Sequence, residues 1–470
     1  MKDIPLSQQQ SQAFSTLALK PALLENLGTL GFQAMTEIQA QSLPAILAGT
    51  DVIGQAKTGS GKTAAFGLGL LHHLEVKRFR IQSLVLCPTR ELAEQVAQDI
   101  RLLARGIHNI KVLTLCGGVP MGPQVGSLEH GAHIIVGTPG RVLDHLERGR
   151  LDLSHLNMLV LDEADRMLEM GFADALDNII AHTPANRQTL LFSATFPEQI
   201  QAIAARIMRS PLMVKVNATH DSVSISQHFF ELDKHGSRMQ ALKLLLLEHQ
   251  PGSAVVFCNT KRETQMVADE LADNGFSVLA LHGDMEQKDR EQTLLRFANG
   301  SACVLVATDV AARGLDIEAL DAVFNFHLAH DTEVHIHRIG RTGRAGSQGA
   351  AYSFYSHQDG MKLALLEDYL GHAIVAESLP SLAALDKQPR QAAMVTLQID
   401  GGKKQKLRPG DILGALTAGD DGLAGTEVGK IQMGDIRAFV AVSRGAANRA
   451  LKQLQKGKIK GRSYRAWLLN

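Results

Sequence analysis

The feature that most constrains this chain is the stretch 56–63, which matches the pattern A-x-x-x-x-G-K-T. It follows the short apolar pair Val52-Ile53 and precedes a segment, 64–74, with the composition of a helix. Glycines let the backbone curl so that successive N–H groups point at phosphate oxygens, and the start of the helix adds partial positive charge. The stretch therefore predicts a strand, a phosphate-binding loop and a helix.

The residue types within this loop indicate roles toward a bound nucleotide. Lys62 is expected to reach the terminal phosphates, and the Thr63 hydroxyl to coordinate Mg²⁺. The residues expected around the phosphates are Ala56, Thr58, Gly59, Ser60, Gly61, Lys62 and Thr63. Taken alone, the stretch is also compatible with a glycine-rich turn that simply caps a helix.

A second stretch lies about a hundred residues further on, where the apolar run 159–161 ends in Asp162-Glu163-Ala164-Asp165. Ligands of an open parallel sheet bind at the carboxyl ends of its strands, so these carboxylates are expected beside the loop. Asp162 would hold Mg²⁺ through water, and Glu163 would orient and deprotonate an attacking water. A polar strand end before a helix is the alternative. The two stretches together predict nucleotide hydrolysis.

Strand-like apolar runs alternate with helical patterns in two successive parts of the chain, which predicts two parallel α/β sheets. The expected strands are 52–53, 84–86, 112–114, 134–136, 159–161 and 190–192, then 254–257, 278–281, 304–306, 322–324 and 351–354. The predicted organisation is a disordered segment at 1–13, a nucleotide-binding domain at 14–210, a linker at 211–226, a second α/β domain at 227–376, a linker at 377–392 and a C-terminal domain at 393–470.

The C-terminal part reads β-α-β-β-α-β, the order of an RRM-like α+β domain. It carries 14 Lys and Arg against 6 Asp and Glu, although the whole chain has 48 of each. This asymmetry favours polyanion binding, with a solvated basic face as the alternative. The first strand, 395–399, has no aromatic residue, so the sequence leaves open whether the sheet face or the basic loops bind RNA. The candidate loop residues are Lys403, Lys404, Lys406, Lys458, Lys460 and Arg462.

Other sequence features argue against several classes of protein. The four cysteines are far apart and form no C-x-x-C pair, so neither a zinc site nor a disulfide scaffold is expected. No run approaches the ~18 apolar residues of a membrane helix. We expect a cytoplasmic protein that acts as a monomer and binds no membrane.

The motifs, taken in order, resemble those of the DEAD-box RNA helicases over roughly residues 14–375. They are Gly31-Phe32 with Thr36-Glu37-Ile38-Gln39, the loop 56–63, Pro88-Thr89-Arg90-Glu91-Leu92, Gly117-Gly118, Thr138-Pro139-Gly140-Arg141, Asp162-Glu163-Ala164-Asp165, Ser193-Ala194-Thr195, Phe257-Cys258-Asn259-Thr260, Gln287 with Arg290, Ala307-Thr308-Asp309, residues 313–316 and residues 337–344. One such tripeptide is weak evidence, but the full series in order is specific.

The resemblance implies two tandem RecA-like domains and an RNA-stimulated ATPase that uses ATP and Mg²⁺ to unwind short duplexes. It implies that Gln39 reads the adenine edge while Phe14 packs nearby, and that Asp316 contacts the ribose. Arg341 and Arg344 are implied to complete the site when the domains close. The residues implied to couple the domains are Ser193, Thr195 and His337.

The resemblance also implies an RNA groove formed by short polar and glycine-rich turns, which suit contacts with phosphates and 2′-hydroxyls. Its expected members are Pro88, Arg90, Gly117, Gly118, Thr138, Arg141, Gln287, Arg290, Thr308 and Asp309. The tail resembles that of bacterial members that bind a 23S ribosomal RNA hairpin near the peptidyl transferase centre, which implies work on pre-50S particles in large-subunit assembly. A helicase or RNA clamp without ribosomal specificity, and a DNA helicase, are the alternatives.

Overall fold

The structure is a computed structural model of the 470-residue chain that describes residues 12–56, 59–216, 225–232, 235–312, 320–343, 348–419 and 421–469. These residues belong to two compact units, and the chain passes from the first to the second between 216 and 225. Thr58, Asp316 and Arg344, and nearly all of the N-terminal segment predicted to be disordered, lie outside the described residues.

The first unit is built on a seven-stranded parallel sheet with the order β3-β4-β2-β5-β6-β1-β7. Its strands are β1 (Val52–Gln55), β2 (Ser83–Leu86), β3 (Val112–Leu115), β4 (Ile134–Gly137), β5 (Met158–Asp162), β6 (Gln188–Ser193) and β7 (Leu212–Lys215). Its helices are α1 (Pro21–Thr29), α2 (Glu37–Leu47), α3 (Lys62–His73), α4 (Arg90–Leu103), α5 (Met121–Glu129), α6 (Pro139–Glu147), α7 (Ala164–Glu169), α8 (Ala173–Ala181) and α9 (Glu198–Ile207).

Both faces of this sheet are buried, which is why its strands read as continuous apolar runs. Successive side chains of a strand point to opposite faces. Val85 and Val160 accordingly belong to one apolar core and Leu84 and Leu159 to the other. The strands predicted from these runs are confirmed.

The first sheet extends into the segment predicted to be a linker at 211–226. Strand β7 pairs with β1 from Val52↔Leu212 to Gln55↔Lys215. Leu212, Met213 and Lys215 are exposed and only Val214 is buried, so the short apolar run of this edge strand stands in a segment of otherwise polar composition. The second sheet also begins inside this segment, at Ile225.

The second unit contains a six-stranded parallel sheet with the order β10-β11-β9-β12-β13-β8. Its strands are β8 (Ile225–Glu231), β9 (Ala254–Cys258), β10 (Val278–Leu281), β11 (Val304–Thr308), β12 (Ala322–Asn325) and β13 (Gly349–Tyr355). Its helices are α10 (His235–His249), α11 (Lys261–Asp273), α12 (Gln287–Ala298), α13 (Asp309–Ala312), α14 (Thr332–Ile339) and α15 (Gly360–Leu370). Two parallel-sheet RecA-like domains are therefore present, as predicted.

The C-terminal module of the second unit is a four-stranded antiparallel sheet with the order β15-β16-β14-β17. Its strands are β14 (Met394–Ile399), β15 (Val428–Met433), β16 (Ala438–Ser443) and β17 (Ala466–Leu468), and its helices are α16 (Pro409–Thr417) and α17 (Ala447–Lys456). Leu397, Ile399, Val440 and Val442 pack with the helices in one apolar core. This arrangement is the predicted RRM-like fold.

The segment predicted as the second linker, 377–392, lies against the second parallel-sheet domain. Its 3₁₀ helix, Leu382–Asp386, contacts α10, and Ala392 belongs to the apolar core of that domain. Arg390 Nη1 donates a hydrogen bond to the Gln250 carbonyl at 2.9 Å. The polar composition that suggested a linker thus belongs to an ordered surface segment.

The C-terminal module is joined to the same domain through its own sheet. The Thr396 hydroxyl in β14 is 2.9 Å from Asn299 Nδ2 and 2.8 Å from Ser301 Oγ. Thr396 is buried and points away from the helices of the module, because its neighbours Val395 and Leu397 pack on their side. Part of the sheet face that carries Thr396 is therefore covered by the parallel-sheet domain.

Candidate nucleotide site and RNA-binding surfaces

The phosphate loop follows β1 and closes on the start of α3. Gly61 adopts a left-handed conformation (φ 94°) as the residue before the helix, which favours glycine at this position. Lys62 is buried, and its Nζ donates to the Ala56 carbonyl at 2.9 Å. This contact holds the ammonium group inside the loop, where the phosphates of a nucleotide are expected.

Gln39 links α2 to the phosphate loop. Its Oε1 accepts a hydrogen bond from the Thr36 backbone N–H at 2.9 Å, and its Nε2 donates to the Gly61 carbonyl at 3.0 Å. A Cβ at Gly61 would collide with this amide. Phe14 is buried and meets the ring of Phe32 edge-on at 6.2 Å. Of the two residues predicted to surround the adenine, Gln39 therefore contacts the phosphate loop directly, and Phe14 packs in the apolar core of the first unit.

Asp162 and Glu163 stand where β5 ends. Burial raises the pKa of Asp162 to about 7; the neighbouring Lys62 opposes this shift and Glu163 adds to it. Glu163 has φ 51°, an uncommon conformation for a non-glycine residue, and its N–H donates to Asp162 Oδ1 at 3.1 Å. Non-glycine residues in this region often occur at functional sites. The left-handed conformation of Glu163 turns the chain from the end of β5 into the start of α7.

Asp165 binds the segment that follows β6. Its N–H donates to Ser193 Oγ at 3.3 Å, and its Oδ2 accepts from the Thr195 backbone N–H at 3.0 Å and hydroxyl at 2.9 Å. Burial raises the pKa of Asp165, but hydrogen bonds from Ser193 and Thr195 outweigh it and leave the pKa below its usual value. Ser193 also accepts the Ala56 N–H at its carbonyl, 3.1 Å away. Two of the three predicted coupling residues, Ser193 and Thr195, therefore bind the acidic motif, and Ser193 also contacts the start of the phosphate loop.

The residues present fit a nucleotide with a divalent cation. Among the described residues, the Ser60 hydroxyl is buried in the loop without a hydrogen-bond partner, as expected of a group that awaits a ligand. The half-buried Thr63 hydroxyl and the Asp162 carboxylate are oxygen ligands of the kind that Mg²⁺ prefers.

Six predicted RNA-binding residues of the first unit follow the ends of β2, β3 and β4, which are neighbours in the sheet. They are Pro88, Arg90, Gly117, Gly118, Thr138 and Arg141. The Arg90 guanidinium lies directly on the Gly117-Gly118 turn, where a Cβ at Gly118 would collide with it. Gly118 also has φ 74°. The turn thus needs glycine for its conformation and for the approach of Arg90.

Gln124 is a residue of this surface that sequence analysis missed. Arg141 Nη1 donates to Gln124 Oε1 at 3.1 Å and to the Val119 carbonyl at 3.2 Å. Gln124 is itself held by the Cys116 carbonyl, 2.9 Å from its Nε2, and by the buried His145, whose Nε2 is 2.9 Å from Oε1. A glutamine in a helix carries no signal of such a role, because its partners come from distant parts of the sequence.

In the second unit, Thr308 ends β11 and Asp309 begins α13. Asp309 was predicted to contact RNA, but both of its carboxylate oxygens accept hydrogen bonds from Arg338, at 2.7 Å each. The geometry favours a structural role for Asp309. Arg338 was not predicted as a site residue, although it lies within the motif 337–344.

The other predicted residues of this unit lie on two helices. Gln287 and Arg290 are in the first turn of α12, and His337 is in the last turn of α14. Arg341 follows α14, and its carbonyl accepts the Leu320 N–H at 3.1 Å. This contact ties the backbone that carries Arg341 to Leu320, two residues before β12.

The basic residues of the C-terminal module lie on two loops that meet. One loop, 400–408, carries Lys403, Lys404 and Lys406, and the other, 457–465, carries Lys458, Lys460 and Arg462. Lys460 Nζ donates to the Lys406 carbonyl at 3.3 Å. The six cations are exposed. They form one basic surface, which we call the basic loop surface.

Comparison with known proteins gives three family matches along the chain. Residues 36–203 match DEAD/DEAH box helicase, 237–346 the helicase conserved C-terminal domain, and 396–468 the DbpA RNA binding domain. The described residues include no helix with the length and apolarity needed to cross a membrane.

Two relatives match nearly the whole chain. The ATP-dependent RNA helicase DbpA of Escherichia coli is 56% identical over 458 residues, 97% of this chain and 99% of its own length. The protein of the same name from Bacillus subtilis is 36% identical over 96% of this chain and 98% of its own.

Solved structures of more distant proteins share the fold. S. cerevisiae Dbp5 bound to RNA and ADP BeF3 gives a TM-score of 0.70 at 29% identity and covers 78% of this chain and 96% of its own. Mss116p bound to ssRNA and AMP-PNP gives a TM-score of 0.71 at 26% identity, covering 80% of this chain and 81% of its own.

Proposed function

Because this chain belongs to the DEAD-box ATP-dependent RNA helicases, which are RNA-stimulated ATPases, we propose that its C-terminal module selects the RNA on which it acts. The proposed target is the 23S ribosomal RNA hairpin near the peptidyl transferase centre. The proposed setting is assembly of the large ribosomal subunit in the cytoplasm, on pre-50S particles. The module would hold a monomeric helicase at one RNA, where it unwinds short neighbouring duplexes.

The observation that carries this proposal is the C-terminal module itself. It matches the DbpA RNA binding domain over residues 396–468, and the chain is similar to Escherichia coli DbpA throughout. Thr396 on the sheet face is buried, whereas the basic loop surface is exposed. Its positive charges can bind the phosphates of an RNA backbone. We therefore assign RNA contact to the loops rather than to the sheet face.

In the first unit, this chain's residues would act on ATP and its Mg²⁺. Lys62 would bind the terminal phosphates, Thr63 and Asp162 would hold Mg²⁺, and Glu163 would take the proton of the attacking water. Gln39 would pair with the adenine edge, since one amide offers both a donor and an acceptor. Arg341 and Arg344 of the second unit would stabilise the charge on the transferring phosphate.

RNA and ATP would favour the same arrangement of the two units, so each would tighten the binding of the other. Because residues 377–392 and Thr396 attach the module to the second parallel-sheet domain, RNA held by the module would remain at a fixed offset from that domain. This attachment would raise the local concentration of neighbouring duplex without adding a catalytic group.

The proposal is tested by ATPase titrations of the full-length protein with a 23S fragment that contains the hairpin and with an RNA of equal length and scrambled sequence. We expect half-maximal activation at a much lower concentration of the ribosomal fragment. The double variant Lys458→Ala/Arg462→Ala should lose most of this preference while its maximal rate stays unchanged.

The matched control is Lys430→Ala/Lys452→Ala, which removes two exposed cations of the same module outside the basic loop surface. It should keep the preference. Equal activation by both RNAs in the wild-type protein would instead identify a helicase without ribosomal specificity. Better activation by matched DNA would identify a DNA helicase.

A further inference from the structure

An open cleft of about 670 Å³ lies in the first unit at the edge of the sheet opposite the nucleotide site. Its lining residues precede β2, β5 and β6, whereas the phosphate loop and the acidic motif follow the carboxyl ends of β1 and β5. The lining residues on the strand β2 side are Arg78, Phe79, Arg80 and Gln82. Neither the nucleotide site nor the RNA groove uses this cleft.

The sequence at its rim alternates cations with an aromatic residue: Lys77-Arg78-Phe79-Arg80. All four residues are exposed, and the exposed fraction of Phe79 is 47%. Basic residues interleaved with an aromatic residue are typical of surfaces that bind single-stranded nucleic acid.

The Phe79 ring is held in place on one side. It meets the buried His133 ring edge-on at 4.6 Å and rests on Gly131, where a Cβ would collide with it. Gly131 also has φ 71°, so glycine suits both the turn and the contact. The ring is therefore positioned before any ligand arrives, which lowers the entropic cost of stacking.

The loop that carries the arginines is held from below by Gln82. Its Nε2 donates to the carbonyls of Glu75, at 2.9 Å, and Arg78, at 2.7 Å, while its Oε1 accepts the Glu75 N–H at 3.0 Å. Gln82 is buried. The cleft floor thus fixes the backbone on both sides of Lys77, and the side chains above it remain exposed.

The charge of the rim is positive. Its three cations, Lys77, Arg78 and Arg80, outnumber the two acids nearby, which are Glu75, whose carboxylate is 3.3 Å from Arg78 Nε, and Asp152, whose carboxylate accepts the Ser154 N–H at 2.9 Å. The Arg78–Glu75 pair is about two-thirds exposed on each side, so solvent screens it and an incoming phosphate can compete with Glu75 for the guanidinium.

We propose that this cleft is a second RNA-binding site, which takes one or more single-stranded nucleotides with a base stacked on Phe79 and phosphates bound by Arg78 and Arg80. The strands between the two edges have four to six residues, which corresponds to about 13–20 Å. A single strand that leaves the groove at the carboxyl edge can therefore reach the cleft within several nucleotides. The aromatic ring between arginines favours RNA over an acidic peptide.

The test compares full-length variants with oligouridines of about 10 and about 30 nucleotides, lengths chosen to fill the groove alone or to extend beyond it. These RNAs contain no ribosomal sequence, so the outcome is independent of the proposed 23S target. For Arg78→Ala/Arg80→Ala we expect about tenfold weaker binding of the longer RNA, little change for the shorter one, and a salt slope that falls by about 1.4 for two lost phosphate contacts.

A second variant separates stacking from charge. Phe79→Leu keeps an apolar side chain against His133 but removes the aromatic face, and we expect about fivefold weaker binding of the longer RNA with the salt slope unchanged. The control Arg101→Ala/Arg105→Ala removes two exposed cations near the same edge, outside the cleft, and should bind both RNAs as the wild type does.

A direct measurement does not depend on variants. Crosslinking of the wild-type protein to the longer RNA carrying 4-thiouridine should label the peptide that contains Phe79. Absence of this label, binding within twofold of wild type in both the arginine and the Phe79 variants, or an equal loss in the control would overturn the proposal. Unchanged RNA binding would leave an acidic peptide as the occupant to be tested.

Discussion

Arg338 and Asp309 form a buried two-pronged ion pair, with Nε–Oδ1 and Nη2–Oδ2 distances of 2.7 Å each. The same guanidinium donates from Nη1 to the His327 carbonyl at 2.8 Å and to Asn325 Oδ1 at 3.2 Å, and it lies 5.2 Å from the centroid of the Phe257 ring. One side chain thus joins the carboxyl ends of β9, β11 and β12, on which the second sheet presents its motifs.

Replacing Arg338 should therefore destabilise the second unit. Arg338→Met leaves the Asp309 carboxylate without its buried partner, and we expect a loss of about 3 kcal/mol in the free energy of unfolding. Calorimetry of the full-length protein would measure it as a lower midpoint for one transition. Arg262→Met, at an exposed position of α11, should leave that midpoint unchanged. Recovery of part of the loss in Arg338→Met/Asp309→Asn would show that the unpaired carboxylate is its cause.

The importance of Arg338 illustrates what the sequence could not reveal. The buried strands of both sheets were predictable because buried parallel strands appear as short apolar runs between turns, whereas the edge strands β7 and β8 were not predicted. The phosphate loop and acidic motif were predictable because their chemistry depends on residues close together in sequence. Arg338, although it lies within the motif 337–344, and Gln124 act through partners that are remote in sequence, so their contacts could not be read from the residues beside them.

The attachment of the C-terminal module was hidden for a related reason. Thr396 lies in a strand whose pattern reports burial on one face but not what covers the other face. The polar residues of 377–392 favoured a linker, although their side chains bind the parallel-sheet domain through contacts such as Arg390 with the Gln250 carbonyl. A surface segment that packs along another domain through polar contacts shows no regular spacing of apolar residues, so its sequence does not reveal that it is ordered.

Thr396→Val tests this attachment. The change keeps the side-chain shape but removes the hydroxyl bonded to Asn299 and Ser301, so a buried serine hydroxyl loses a partner at a cost of about 1–3 kcal/mol. We expect faster amide hydrogen exchange in residues 377–392 and β14. Thr417→Val, which removes a hydroxyl bonded within its own helix, is the matched control. Equal exchange in both variants would mean that Thr396 contributes nothing to the attachment.

Glu163→Gln tests the proposed general base. The amide preserves size and leaves the Asp162 contact of the Glu163 backbone intact, so ATP should still bind. RNA-stimulated phosphate release should fall at least about 100-fold, because an amide does not accept the proton of water. Pre-steady-state measurement of nucleotide binding and of phosphate release separates these effects. Wild-type turnover would remove Glu163 from this role.

Gln39→Ala tests base selection by the residue that also contacts Gly61. We expect weaker ATP binding, because the loop loses the bond from Nε2 to the Gly61 carbonyl, and a smaller preference for ATP over GTP, because the amide that pairs with adenine is gone. The ratio of kcat/KM for the two nucleotides is the decisive readout. A lower affinity with an unchanged ratio would restrict Gln39 to positioning the loop.

The central claim is that phosphate cleavage requires groups from both units, and Arg341→Ala in the full-length protein tests it most directly. The variant keeps every residue of the first unit, so ATP binding measured with a fluorescent analogue should remain within a few-fold of wild type. RNA-stimulated phosphate release should fall by about 10³-fold or more, the scale of an arginine that stabilises a transferring phosphate. Phosphate release at the wild-type rate in this variant and in Arg341→Ala/Arg344→Ala would contradict the claim and place all the catalytic groups in the first unit.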